Sequence, residues 1–140
     1  MMTPGEQTNR LLLRARDRID RDYAKPLDIP ALARIALASE AHFIRSFRRT
    51  FGETPHRYLQ RRRVERAMWL LRATERSVSE VCLDVGFTSF ATFSRTFREI
   101  VGESPSSYRT QGPPPAVPTC FEKAWSRPSS FGQAGRVAAT

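Results

Sequence analysis

Residues 93–108 read FSRTFREIVGESPSSY, and residues 43–58 read FIRSFRRTFGETPHRY. The two stretches align without a gap, and eight of the sixteen positions are identical: Phe43/Phe93, Arg45/Arg95, Phe47/Phe97, Arg48/Arg98, Gly52/Gly102, Glu53/Glu103, Pro55/Pro105 and Tyr58/Tyr108. In the later copy Phe93, Phe97 and Val101 recur every fourth residue, which places them on one face of an α-helix. Thr92, Ser94, Arg95 and Arg98 fall off that face. Ser89 stands where an N-cap belongs, and Gly102 where a left-handed residue ends a helix. Upstream the match continues once one residue is inserted, with Ile29, Leu32, Ala36 and Leu37 facing Val78, Val81, Val85 and Gly86. Each copy therefore predicts a short helix, a tight turn, a longer helix and a Gly-x-x-Pro stop. That is the order of a helix-turn-helix unit, written twice.

Outward from the repeat, Leu12, Ala15, Ile19 and Tyr23 follow helical spacing, so an amphipathic helix is expected from about Thr8 to Tyr23, with residues 1–7 disordered. Asp28 caps a short helix that tolerates Pro30 in its first turn, and Ser39 caps a helix over 40–51 with Phe43, Phe47 and Phe51 inward. Thr54-Pro55 restarts a long helix over 55–72, whose apolar seam is Val64, Ala67, Met68 and Leu71. Ser77-x-x-Glu80 is a capping box opening a helix over 78–85. Gly86 then turns the chain, Phe87 enters the core, a helix spans 89–101, and Pro105–Tyr108 starts a short closing one. The expected fold is all-α: a first helix-turn-helix subdomain at about 8–54, a linker helix at 55–72 holding the copies at a fixed separation, and a second subdomain at 77–109. From Gly112 the composition changes to an irregular tail, 112–140, in which Pro113, Pro114, Pro115 and Pro118 forbid regular helix. Its Phe121, Trp125 and Phe131 are either poorly ordered or laid across the domain as a strap.

Composition narrows the partners. Among 140 residues there are 21 Arg and 2 Lys against 14 Asp and Glu, a formal net charge of +9. Such a balance favours a polyanion. The two cysteines, Cys82 and Cys120, have no CxxC spacing, and His42 and His56 complete no ligand set, so neither metal nor other cofactor is expected. No apolar run approaches the roughly 18 residues of a membrane span, and MMTPGEQTNR lacks a signal-peptide core. The expectation is a cytoplasmic, nucleoid-associated protein. No nucleophile–base set, phosphate loop or carboxylate pair stands at a usable spacing, which argues against an enzyme.

A helix-turn-helix suits DNA because the major groove admits one α-helix, whose N-terminal residues meet base edges while the preceding helix crosses the backbone. Most such proteins dimerise to place two reading helices one DNA turn apart, roughly 34 Å. With both copies in one chain, a monomer suffices. The expected base contacts are Ala41, His42, Ile44 and Arg45 in the first reading helix and Phe90, Ala91, Thr92, Ser94 and Arg95 in the second. Arg45 and Arg95 suit guanine, which Arg pairs bidentately; Ala41, Ile44, Phe90 and Ala91 suit thymine methyls, although Ile44 and Phe90 suit partial core burial equally well. The expected phosphate contacts are Ser39, Arg48, Arg49, Arg62, Arg63, Arg66, Ser89 and Arg98. Because the exposed residues of the two helices differ, the site should be asymmetric and not palindromic.

These residues resemble the DNA-binding domain of AraC/XylS-type transcription regulators. The resemblance covers about Lys25 to Arg109 and rests on FGETPHRYLQRRRVERAMWLL, on VSEVCLDVGFTSFATFSRTFREIVGESPSSYR and on the doubled architecture. It implies about seven helices, sequence-specific promoter binding and, commonly, activation through contact with RNA polymerase. Leu37 departs from the pattern, standing where a turn glycine often falls. With no ligand-binding domain beside it, the chain resembles the stand-alone type. A rival from a different class is a non-enzymatic adaptor that docks on RNA polymerase or another regulator without reading DNA.

Overall fold

Two serines, two glycines and two tyrosines frame the same piece of structure twice. The structure is a computed structural model that describes residues 1–112. Among them are seven helices and no strand: α1 (Pro4–Asp22), α2 (Ile29–Ile35), α3 (Glu40–Phe51), α4 (Pro55–Ala73), α5 (Val78–Asp84), α6 (Phe90–Val101) and α7 (Pro105–Arg109). The all-α expectation holds, and α3 spans the expected residues. The Pro-rich tail, with Cys120, Phe121, Trp125 and Phe131, lies outside the described residues.

One boundary needs correcting. Residues 1–7 were expected to be disordered, yet α1 begins at Pro4. Thr3 accepts from the Glu6 backbone N–H at 3.1 Å, and the Glu6 carboxylate accepts from the Thr3 N–H at 2.7 Å. This reciprocal box, with Pro at the first helical position, satisfies amides that would otherwise be orphaned. Hydrogen bonding to the carboxylate, first from the Thr3 backbone N–H and then from the Thr3 side chain, holds the Glu6 carboxyl below its ordinary pKa.

By its contacts the chain divides into two compact units, Met1–Leu59 and the residues from Gln60 onward. The first has a core of Leu12, Ala15 and Ile19 from α1, Leu32, Ala33 and Ala36 from the α2 region, Phe43 and Phe47 from α3, and Tyr58 and Leu59. Phe47 meets Phe43, Phe51 and Tyr58 edge-on, with centroids 5.7, 4.6 and 5.7 Å away. Such contacts add about 0.5–1.5 kcal/mol each beyond area burial. The buried Tyr58 phenol donates to Asp20 at 2.8 Å, so its polar end is satisfied. Arg16 lies over the Phe51 ring, 4.5 Å from its centroid, and covers the half-buried end of the stripe.

The second core repeats the scheme. Val64, Ala67, Met68 and Leu71 line it from α4, Val81, Cys82 and Val85 from the α5 region, and Phe87, Phe93, Phe97 and Tyr108 complete it. Phe97 meets Phe93 at 5.8 Å and Tyr108 at 5.7 Å, nearly the distances around Phe47. Cys82 is a buried core residue, its thiol pushed up in pKa by that burial. Arginines tie the end of this unit together. Arg72 lies 3.7 Å from the Tyr108 ring centroid and donates to the Tyr108 carbonyl at 3.2 Å and to Gln111 at 2.9 Å. Arg109 donates to the Leu71 carbonyl at 2.9 Å and also to the Arg76 carbonyl. Arg76 in turn pairs with Asp84 and Glu80, which raises its already high pKa.

The turns show where the copies differ. After α2 the chain reverses through Leu37 at φ +53°, and after α5 through Gly86 at φ +104°. In both, the next amide reaches back to close the helix: Ala38 N–H to Ala33 O and Phe87 N–H to Cys82 O, each 3.0 Å. Gly86 adopts its positive φ at no steric cost, whereas a side chain at Leu37 carries a penalty of about 1–2 kcal/mol. With Leu37 matched to Gly86 and Ser39 to Ser89, the extra residue of the second copy is Thr88.

Candidate nucleic-acid interface

α3 and α6 are held the same way. Ser39 accepts from the His42 N–H at 3.3 Å, and Ser89 accepts from the Thr92 N–H at 3.2 Å. Each cap uses a hydroxyl lone pair and leaves the O–H free to donate, so both serines keep a donor for a phosphate oxygen. At the far ends Gly52 (φ +84°) and Gly102 (φ +98°) take the left-handed conformation, with amides on the Arg48 and Arg98 carbonyls at 2.8 and 2.9 Å. Phe43, Phe47, Phe93 and Phe97 are fully buried, which fixes how each helix is rotated about its axis.

That rotation decides what solvent sees. On α3, Ala41, His42, Arg45, Arg48 and Arg49 are exposed and Ile44 is half-buried. On α6, Phe90, Ala91, Arg95 and Arg98 are exposed, and Thr92 and Ser94 are half-buried. Phe90 keeps 50% of its surface in solvent while its ring sits 6.4 Å from Phe93, so it is neither a core residue nor a free one. Each exposed guanidinium offers five donors in a planar fork, the geometry that matches guanine or phosphate. The partial positive charge of the helix N-terminus adds to them. On each helix the expected base-reading residues start at the capped end, within the first two turns.

The arginines of α4 behave differently. Arg62 was expected to reach phosphate, but it is 1% exposed and buried with Glu65 at 3%. A guanidinium removed from solvent is not available to a phosphate, so Arg62 does not belong among the phosphate contacts. Its neighbours on a run of like residues gave the sequence no signal of this; the α-helical 100° step turned it inward. Arg63 and Arg66 are half-buried, with Arg63 5.7 Å from the Phe87 centroid and Arg66 4.7 Å from the Trp69 centroid. Burial lowers the Arg63 pKa.

Sequence reading also missed Ser46. It is 5% exposed on α3, and its hydroxyl lies 3.3 Å from Nε2 of His42. The spacing of four residues was the available signal. Among the described residues no group of three or more His, Cys, Asp or Glu is placed to hold a metal ion. No helix among them is long and apolar enough to cross a membrane.

Two capped, basic helices, each preceded by a short helix and a tight turn, define a protein with a doubled helix-turn-helix. A helix-turn-helix domain family model matches residues 32–111. The regulatory protein SoxS of Salmonella typhimurium is 36% identical over 91 residues, which cover 65% of this chain and 85% of SoxS. The probable transcriptional regulator LumQ of Photobacterium leiognathi is 31% identical over 91 residues, and the chain spans only 37% of LumQ's length. Among solved structures, the DNA-binding domain of the global transcriptional factor AdpA, in complex with a target DNA, superposes with a TM-score of 0.68 at 32% identity, covering 71% of this chain and 90% of that one. The chain belongs to the AraC-type helix-turn-helix regulators, a family of sequence-specific DNA-binding transcription regulators and not of enzymes.

Proposed function

We propose that this chain binds double-stranded DNA as a monomer at an asymmetric, bipartite promoter site, with α3 in one major-groove segment and α6 in the next. One observation carries the reading: identical scaffolding presents different chemistry. Ser caps, Phe stripes and Gly stops recur in both helices, and Ala41 and Arg45 recur as Ala91 and Arg95, while Glu40, His42 and Ile44 stand opposite Phe90, Thr92 and Ser94. Phe90 adds an exposed ring on α6 only. Two half-sites of unlike sequence follow.

The roles follow from side-chain chemistry. Arg45 and Arg95 pair with guanine O6 and N7; His42, Thr92 and Ser94 hydrogen-bond base edges; Ala41, Ile44, Phe90 and Ala91 pack on thymine methyls. Ser39, Ser89, Arg48, Arg49 and Arg98 hold phosphates and set the register without specifying sequence. Arg63 and Arg66 add phosphate contacts through the surface they retain. Activation through contact with RNA polymerase is what the family resemblance implies for this chain; residence on the nucleoid in the cytoplasm goes with binding DNA.

A salt titration tests the reading. A protein that neutralises about six to ten phosphates loses roughly 10³–10⁵ in affinity between about 50 and 200 mM salt. The same titration on a duplex selected by this chain and on a scrambled one should give parallel slopes with a constant offset, because phosphate contacts set the slope and base contacts the offset. Negligible duplex affinity even at low salt would instead identify an adaptor that docks on another protein.

A further inference from the structure

The His42–Ser46 pair is the only place on either reading helix where a base-reading side chain is held by a buried one among the described residues. His42 is exposed in the first turn of α3, and Ser46 lies one turn on, 5% exposed. Their Nε2 and Oγ atoms are 3.3 Å apart.

The chemistry of the hydroxyl bears on which of the two groups donates in that hydrogen bond. A serine or threonine inside a helix commonly donates to the carbonyl four residues earlier. Thr8 does so to Pro4 at 2.9 Å, and Thr74, just past the end of α4, does so to Leu70 at 2.7 Å. Ser46 makes no such bond among the described residues; its partner there is the imidazole. A buried hydroxyl hydrogen needs an acceptor, and the one within reach is Nε2. If Ser46 donates to Nε2, that nitrogen is bare, and the neutral ring carries its proton on Nδ1.

We propose that Ser46 is a positioning residue: it fixes the His42 ring with Nε2 inward as acceptor, so that Nδ1–H is the donor α3 presents to a base edge. The proposal rests on α3 being a reading helix, and it adds a preference that residue identity alone does not give. A histidine free to switch tautomer reads donors and acceptors alike. Locked in this one, it reads an acceptor: N7 or O6 of guanine, N7 of adenine or O4 of thymine, and it disfavours the N4 amino group of cytosine. The second unit has no such lock, because Thr92 replaces His42 and the buried residue one turn on is Thr96.

The test uses the full chain and a duplex that it selects from a random library, with every base substituted in turn. His42→Ala locates the base pair that His42 reads. Ser46→Ala should flatten the preference at that same base pair by about threefold to tenfold, the worth of one hydrogen bond, and leave the other half-site's preferences unchanged. Ser46→Thr, which restores a hydroxyl of the kind the second copy buries, should keep the preference. Nitrogen-15 shifts of the imidazole should report a proton on Nδ1 in the native chain and a tautomer mixture in Ser46→Ala.

An equal loss on every sequence, a preference untouched by Ser46→Ala, a Ser46→Thr that behaves like the alanine variant, or a native ring protonated on Nε2 would each overturn the positioning role. A native chain that selects no sequence at all would remove the proposed function, and this role with it. A selective native chain whose Ser46→Ala variant selects equally well removes the role alone.

Discussion

The two helix-turn-helix units share a frame and differ in what they hang on it. Phe47 and Phe97 have the same exposure, zero, and nearly the same ring distances to Phe43 or Phe93 and to Tyr58 or Tyr108. The turns before the long helices diverge, Leu37 against Gly86 with Thr88 added, and so do Glu40, His42, Ile44 and Arg49 against Phe90, Thr92, Ser94 and Glu99, although Ala41, Arg45 and Arg48 recur as Ala91, Arg95 and Arg98. The lesson is that the interior of each unit is fixed by packing while the exposed side is free to specialise. A frame under steric control and a surface under chemical control are separable in one sequence.

The parallel between the units is tested most severely at the buried rings. Phe47→Ala and Phe97→Ala should each cost about 3–5 kcal/mol of stability, as removal of a fully buried ring does. Phe47 should sit at the upper end because Phe51 adds a third ring contact. Chemical denaturation measures both, and a small loss in either would end the claim that the units share one anchor. On the outer side, Arg45→Ala and Arg95→Ala should each weaken binding to the selected duplex by about 1–3 kcal/mol and relax one base position apiece. Equal loss on all sequences would move that arginine to the phosphate group.

The turns give a smaller and oppositely signed pair. Gly86→Ala places a Cβ at positive φ and should cost about 1–2 kcal/mol, whereas Leu37→Gly relieves that strain at some entropic cost and should gain about 0.5–1 kcal/mol. Thermal melts of the two variants should shift in opposite directions. The smallest effect belongs to the first turn of α1. The Glu6 pKa is depressed, so its contribution is present above the ordinary carboxylate pKa and is lost as pH falls through the folded value. Amide protection at Glu6 and its neighbours, measured against the intrinsic exchange rate at each pH, should fall on acidification through that range, while protection in α6 stays constant.

Much of this was legible in the residues. The repeat, the Phe stripes, the serine caps and the glycine stops are local signals with known periods, and each structured segment from Asp28 to Tyr108 follows them. What escaped notice was of two kinds. The Thr3-Pro4-x-Glu6 box was readable, but its effect was masked by a polar stretch that lacks an apolar stripe to announce a helix. The burial of Arg62, by contrast, depends on which of three consecutive arginines the helix turns inward. Neither composition nor charge distinguishes Arg61, Arg62 and Arg63. Likewise Arg72 and Arg109 look like further solvated charge in sequence, yet they hold backbone carbonyls at the ends of α4 and α7. Such long side chains find partners 36 and 38 residues away, beyond what a periodic pattern encodes.

The gapless run from Ser39 to Tyr58 and from Ser89 to Tyr108 carries a consequence for how such a molecule changes over time. Both segments enter through the same serine, turn on the same rings and leave through the same proline, so either could be transplanted into the other's seat without altering length. Novel operator preference can then arise by exchanging or editing a cassette of twenty residues while the architecture that houses it stays put.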